Sequence, residues 1–109
     1  MKVSELRDLL NLQLMNELFD RDIDGVFISD MVSDIVAGLS PGNLLVTIQT
    51  HKNLIASANL VDASAVVFVR GKKPLEDVIQ LANRAKLTLL STDLDAWNLA
   101  LKLYEAGLR

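Results

Sequence analysis

The stretch NLLVTIQTHKNLIASANLVDASAVVFVRG, residues 43–71, contains the pattern that decides the fold. Residues 43–49 form a short apolar run typical of a β-strand, and Leu54, Ala58 and Val61 then recur at the spacing of an α-helix. Residues 65–69 are apolar without alternation, which is usual for a central strand of a parallel sheet. Two such strands joined by a helix predict a βαβ unit.

Strands and helices continue to alternate on both sides of this unit. The predicted elements are a helix from Val3, strands at 12–15 and 25–29, a helix at 30–39, the strand at 43–49, a helix at 50–62, the strand at 65–69, a helix at 74–86, a strand at 87–91 and a helix at 92–107. Because the linkers are short and no composition shift marks a boundary, we predict one domain, residues 1–109. Its predicted class is α/β, a three-layer Rossmann-like domain with a mainly parallel sheet of about four to five strands flanked by helices.

Polar residues that precede the apolar runs mark the predicted helix starts. Proline suits the first turn of a helix, so Pro74 is predicted to begin the helix at 74–86. Glycine suits the end of a helix, so Gly107 is predicted to end the last one. The apolar face of the first helix should contain Val3, Leu6, Leu9 and Leu10. The predicted N-caps are Ser4, Ser29 or Asp30, Thr50, and Thr92 or Asp93.

Composition and charge exclude several classes of protein. Eleven basic against fourteen acidic residues give a net charge of −3, which argues against general nucleic-acid binding, because such binding depends on phosphate neutralisation. The chain contains no cysteine and one histidine, so we expect no disulfide and no zinc or iron site. Carboxylates could still hold a hard cation, but we predict no metal-binding residue and no cofactor. Charged residues occur among the first ten, and the apolar runs are short, so we expect neither a signal peptide nor a membrane span. We therefore predict a soluble, cytoplasmic protein.

Four polar stretches follow the predicted strands: Ser29–Asp30, Thr47–Asn53, Arg70–Lys73 and Ser91–Asp93. In parallel sheets, ligands bind beyond the carboxyl ends of the strands, so these stretches are the candidate site. The junction TIQTHKN, residues 47–53, surrounds a helix start, where free N–H groups and the helix dipole favour an anion. The predicted ligand-binding residues are Thr47, Thr50, His51, Lys52 and Asn53, with Ser29, Asp30 and Arg70 nearby.

A simpler interpretation of the same junction involves no ligand. Thr50 would cap the helix, while Thr47 and Gln49 would only finish the strand. The basic cluster at residues 70–73 likewise could meet a phosphate or an acidic partner, or could be a solvated loop.

Catalysis has little support in the sequence. An imidazole can transfer protons near neutral pH, so His51 with Asp30 is a candidate acid–base pair, but no spacing identifies a partnered nucleophile. The phosphate-binding loop, the dinucleotide fingerprint and the nucleophile elbow are all absent. Asp20, Asp22 and Asp24 alternate like the start of a calcium loop, but the rest of that motif is missing, which predicts a turn. We therefore predict no enzyme and no catalytic residue.

The last helix has an unusually broad apolar surface. Trp97, Leu101, Tyr104 and Leu108 recur every three or four residues, and Leu99 and Leu103 occupy another side. This surface could be core, or it could be the seam of a homodimer.

Residues 25–74, with the segment LLSTDLDAWNLALKLYEAGL at residues 89–108, resemble the DRTGG domain family. The resemblance implies an α/β domain like the N-terminal domain of HPr kinase/phosphorylase and the first domain of Mur ligases. Family members are accessory modules in phosphotransacetylases and lie between CBS domains in regulated pyrophosphatases, where they contribute to the dimer interface. Free-standing bacterial copies often lie beside genes for iron hydrogenases and serine-kinase-like regulators. The resemblance implies no catalytic residue.

Three functional hypotheses follow. The first is a non-catalytic regulatory or interaction domain, expected to be a homodimer, that senses a nucleotide or another anionic small ligand. The second is an accessory subunit that docks onto a redox enzyme associated with hydrogenases, or onto a kinase-like regulator, without binding a metabolite. The third is a small enzyme that depends on His51.

Overall fold

The computed structural model describes all residues, 1–109, as five strands and five helices. The strands are β1 (Gln13–Leu14), β2 (Val26–Ile28), β3 (Leu44–Thr47), β4 (Ala65–Phe68) and β5 (Thr88–Ser91). The helices are α1 (Val3–Leu10), α2 (Val32–Gly38), α3 (Lys52–Leu60), α4 (Glu76–Arg84) and α5 (Ala96–Glu105). Every predicted element is present, and each one with two predicted ends is shorter than its predicted range. None of the five helices has the length and apolar content that crossing a bilayer requires.

The strands form one sheet in the order β1-β5-β4-β3-β2. Strands β2 to β5 are parallel, and β1 pairs antiparallel with β5 at the edge. The predicted mainly parallel sheet is therefore confirmed. The register places Ile28 opposite Val46, Thr47 opposite Phe68, and Phe68 opposite Ser91, so four carboxyl ends lie side by side.

Helices cover the sheet on both faces and create two apolar clusters. Helices α2, α3 and α4 pack over the face that contains Leu45, Phe68 and Leu89, while α1 and α5 pack over the face that contains Val46 and Val67. Successive crossovers of the same hand between adjacent parallel strands place their helices on one face, which explains the first group. The predicted three-layer arrangement is confirmed.

The predicted N-caps differ from those in the structure, although α1 starts at Val3 as predicted. Ser4 lies inside α1, whose N-cap is Lys2. The N–H and the hydroxyl of Ser4 donate to the Asp20 carboxylate at 2.8 and 2.7 Å. These two hydrogen bonds lower the pKa of the Asp20 carboxyl. Leu9, predicted on the apolar face, is 63% exposed because α1 packs through Val3 and Leu6.

The other predicted caps differ in a similar way. Helix α3 begins after His51 rather than Thr50, and no side chain caps it. Pro74 precedes α4 instead of joining its first turn, because Leu75 is the N-cap. For α2 the N-cap is Met31, neither Ser29 nor Asp30.

Helix α5 starts later than predicted because the chain first crosses to the opposite face of the sheet. Its N-cap is Asp95, not Thr92 or Asp93, and the Asp95 carboxylate accepts a hydrogen bond of 2.8 Å from the N–H of Asn98. This bond is the main cause of the lowered pKa of the Asp95 carboxyl. Gly107 follows the helix with φ +97°, a backbone conformation that glycine adopts freely, so the predicted stop is confirmed.

Candidate functional site

The parallel register brings the four predicted polar stretches to one edge of the sheet. Each stretch follows the carboxyl end of one strand, in the spatial order β5, β4, β3, β2. The helices that follow β4 and β5 lie on opposite faces, so the usual ligand crevice of such sheets would open between these two strands.

Two backbone hydrogen bonds close that crevice. The N–H of Arg70 donates to the carbonyl of Leu94 at 2.8 Å, and the N–H of Gly71 donates to the carbonyl of Thr92 at 2.8 Å. Both donors have positive φ, +58° at Arg70 and +69° at Gly71, which turns their N–H groups toward the neighbouring loop. The depressions at this edge lie instead between the starts of α3 and α4 and around the end of β3.

Thr47 and Asp30 fix the polar end of β3. The Thr47 hydroxyl donates to Asp30 Oδ1 at 2.8 Å and accepts from the N–H of Gln49 at 3.1 Å, and the N–H of Ile48 also donates to Asp30 Oδ1 at 2.9 Å. Thr47 is buried, with 1% of its surface exposed. Its contacts within the protein hold the loop after β2 against the loop after β3. Ser29 is engaged similarly, because its hydroxyl accepts from the N–H of Met31.

The other predicted residues of the junction line an open groove. Thr50, His51, Lys52 and Asn53 form one wall of a depression of about 400 Å³ between the starts of α3 and α4. The opposite wall consists of Leu75, Asp77 and Val78.

Several hydrogen-bonding groups in this groove have no partner within the protein. The side chains of Thr50, His51 and Asn53 make no hydrogen bond within the chain, and the backbone N–H groups of Lys52 and Asn53 have no acceptor. These uncapped N–H groups lie at the positive end of the α3 dipole. The arrangement can bind an anion through backbone and side-chain donors.

Asp77 is the groove residue that the sequence interpretation missed. Its carboxylate lies 3.0 Å from the Lys52 ammonium, and hydrogen bonding from Lys52 is the main cause of the lowered pKa of the Asp77 carboxyl. Lys52 is thus already paired, so an incoming anion must compete with Asp77. The signal was available, because helices that follow neighbouring parallel strands begin side by side, which places the first turn of α4 next to α3.

Arg70 lies apart from this groove. It lines a smaller depression of about 150 Å³ on the α5 side of the edge, whose other walls include Ile28, Val69 and Ala96. Its charge also contributes to the lowered pKa of the Asp95 carboxyl. The structure thus places Arg70 at the same edge as the junction, but on the other side of β3.

His51 and Asp30 do not form a hydrogen-bonded pair. Both hydrogen bonds of the Asp30 carboxylate come from Thr47 and Ile48, and no salt bridge joins it to His51. His51 therefore has no group that orients its ring for proton transfer. The structure also contains no group of three or more histidine, aspartate or glutamate side chains that could hold a metal ion.

Comparison with known proteins identifies the domain. Residues 12–106 match the DRTGG domain family. The chain belongs to the DRTGG domain family. Among solved structures, it is similar to the CBS and DRTGG domains of the regulatory region of Clostridium perfringens pyrophosphatase, complexed with the activator diadenosine tetraphosphate. The TM-score is 0.74 at 17% identity, over 93% of this chain and 45% of that one, so the chain spans less than half of that structure. No curated protein matches the sequence.

Proposed function

We propose that this DRTGG domain is a cytoplasmic, non-catalytic regulatory domain that senses a nucleotide or another anionic small molecule. The observation that carries the proposal is the groove at the start of α3. There, one depression is lined by Thr50, His51 and Asn53, whose polar side chains are free, and by the first residues of α3, whose N–H groups are uncapped. An anion would supply the acceptors that these donors lack.

The structural neighbour supports nucleotides as the first ligands to test. That protein's regulatory region, which contains CBS and DRTGG domains, is complexed with diadenosine tetraphosphate. A polyphosphate carries the negative charge that the α3 groove favours.

A thermal-shift screen against nucleotides, phosphate esters and small carboxylates tests the proposal. A ligand at about 100 times its dissociation constant stabilises the folded state by about 2.7 kcal/mol, which should raise the Tm of a domain this small by roughly 10 °C or more. We expect at least one nucleotide to give such a shift. A flat screen with folded protein would contradict the sensing function.

Two substitutions locate the binding in the α3 groove. Thr50→Ala removes a free hydroxyl and should weaken the shift, whereas Asp77→Asn releases Lys52 from its 3.0 Å contact and should strengthen it. Ser33→Ala, on exposed α2, is the control for the lost hydroxyl, and Asp34→Asn is the control for the changed charge. Equal shifts in all four variants would place the ligand elsewhere.

The outer face of α5 supports a homodimer as part of this proposal. Trp97 and Tyr104 are 69% and 59% exposed, and Leu101 lies on the same side of the helix. Large aromatic side chains exposed together are typical of interfaces. We expect Trp97→Glu to convert a dimer into a monomer, measured by light scattering at several concentrations. Leu60→Glu, at an exposed leucine of α3, should leave the mass unchanged.

The same α5 face favours the second candidate function, an accessory subunit that docks onto a redox enzyme or a kinase-like regulator. In that case a partner should co-purify with the wild-type chain and with Thr50→Ala, but not with Trp97→Ala. Loss of the partner with Thr50→Ala alone would count against docking through α5.

A further inference from the structure

Three neighbouring depressions, together called the trough, share lining residues around the carboxyl end of β3. The depression beside Arg70, about 150 Å³, shares Asp30 with a second one of about 200 Å³. The second shares His51 and Asn53 with the α3 groove of about 400 Å³. A ligand that occupied the α3 groove could therefore extend past Asp30 to the α5 side of the edge.

The chemistry of the trough changes along its length. The end beside Arg70 has an apolar floor that includes Ile28, Val46 and Val69, and a depression of about 150 Å³ is large enough for one aromatic ring. The opposite end offers the uncapped N–H groups of α3, which favour an anion. Between them lies Asp30, whose negative charge repels an anion but accepts hydrogen bonds from hydroxyl groups.

Asp30 is held in one orientation with half of its carboxylate available. Oδ1 accepts from the Thr47 hydroxyl and from the N–H of Ile48, at 2.8 and 2.9 Å. Oδ2 accepts no hydrogen bond from the protein. A fixed carboxylate with a free oxygen is well suited to bind neighbouring hydroxyl groups, as acidic residues at the edge of other nucleotide-binding sheets bind ribose.

We propose that Asp30 binds the ribose hydroxyls of a ribonucleotide whose base lies beside Ile28 and whose phosphates lie at the start of α3. The order of groups along the trough, apolar walls beside Arg70, then a hydroxyl acceptor, then an anion site, is the order of base, ribose and phosphate in a nucleotide, and a guanidinium such as that of Arg70 can stack on a base. This inference rests on the proposed function and adds the ligand's orientation and its sugar.

The test compares the four ribonucleoside triphosphates with their 2′,3′-dideoxy counterparts, by calorimetric titration of the wild type and of Asp30→Asn. The asparagine oxygen can still accept from Thr47 and Ile48, but its NH2 group replaces the free charged acceptor, so the fold should be kept while the charge-assisted hydrogen bonds from the hydroxyls are lost. Asp34→Asn changes the charge equally outside the trough. Because each comparison is a ratio within one protein, any general effect of charge on phosphate binding cancels.

We expect the wild type and Asp34→Asn to bind at least one ribonucleotide about tenfold or more tightly than its dideoxy form, and this ratio to be several times smaller in Asp30→Asn. A wild-type ratio near one, or an unchanged ratio in Asp30→Asn, would overturn the inference. If Thr50→Ala still weakened binding in that case, the proposed anion site would stand. If the wild type bound none of the triphosphates, both the inference and nucleotide sensing would fall.

Discussion

Replacing Phe68 with alanine is expected to lower the free energy of unfolding by about 3–5 kcal/mol. Phe68 is fully buried at the end of β4, in the apolar cluster beneath α2, α3 and α4. Its removal leaves a cavity in this cluster. Strand β4 cannot shift to fill the cavity because it is paired with β3 on one side and with β5 on the other. Chemical denaturation monitored by circular dichroism measures the loss.

Leu60→Ala is the control for the loss of a large apolar side chain. Leu60 is 74% exposed, so its removal should change the free energy of unfolding by about 0.5 kcal/mol or less. Similar losses in the two variants would contradict the packing described for the helical layer.

Replacing Thr47 with valine should cost about 1–3 kcal/mol of folding free energy. Valine keeps the shape but removes a buried hydroxyl that donates to Asp30 and accepts from the N–H of Gln49. The Gln49 N–H then lacks its acceptor, and Asp30 keeps only the contact from Ile48. Thermal and urea denaturation should both show the loss.

Thr50→Val is the matched variant at the same junction. The Thr50 hydroxyl makes no hydrogen bond within the protein, so valine there should leave stability within about 0.5 kcal/mol while it weakens anion binding. An equal loss of stability at both positions would contradict the conclusion that the Thr47 hydroxyl is structural and the Thr50 hydroxyl is free.

The sequence predicted the class of fold because its strongest signals come from burial. The runs at Leu44–Thr47 and Ala65–Phe68 are buried on both faces, and this condition produces an apolar segment without alternation. The polar edge also followed from topology, since parallel strands end on one side of a sheet.

Several N-caps and site contacts were predicted less well because they depend on residues distant in the sequence. Ser4 would be a good cap by type, but Asp20 binds its hydroxyl and its N–H. Likewise, the charge of Lys52 suggested a free cation, whereas Asp77, twenty-five residues later, pairs with it. The closure of the crevice between β4 and β5 depends on backbone hydrogen bonds from Arg70 and Gly71, which no side-chain pattern reveals.

The most direct test of the nucleotide-sensing proposal is a titration of nitrogen-15-labelled protein with diadenosine tetraphosphate and with ATP, followed by amide NMR. The amide N–H groups of Lys52 and Asn53 have no acceptor in the protein, so a phosphate that binds there should shift their resonances first and furthest. We expect saturable shifts at Thr50–Asn53 that are weakened in Thr50→Ala. Saturable shifts confined to α5, or no shifts at millimolar nucleotide, would contradict it.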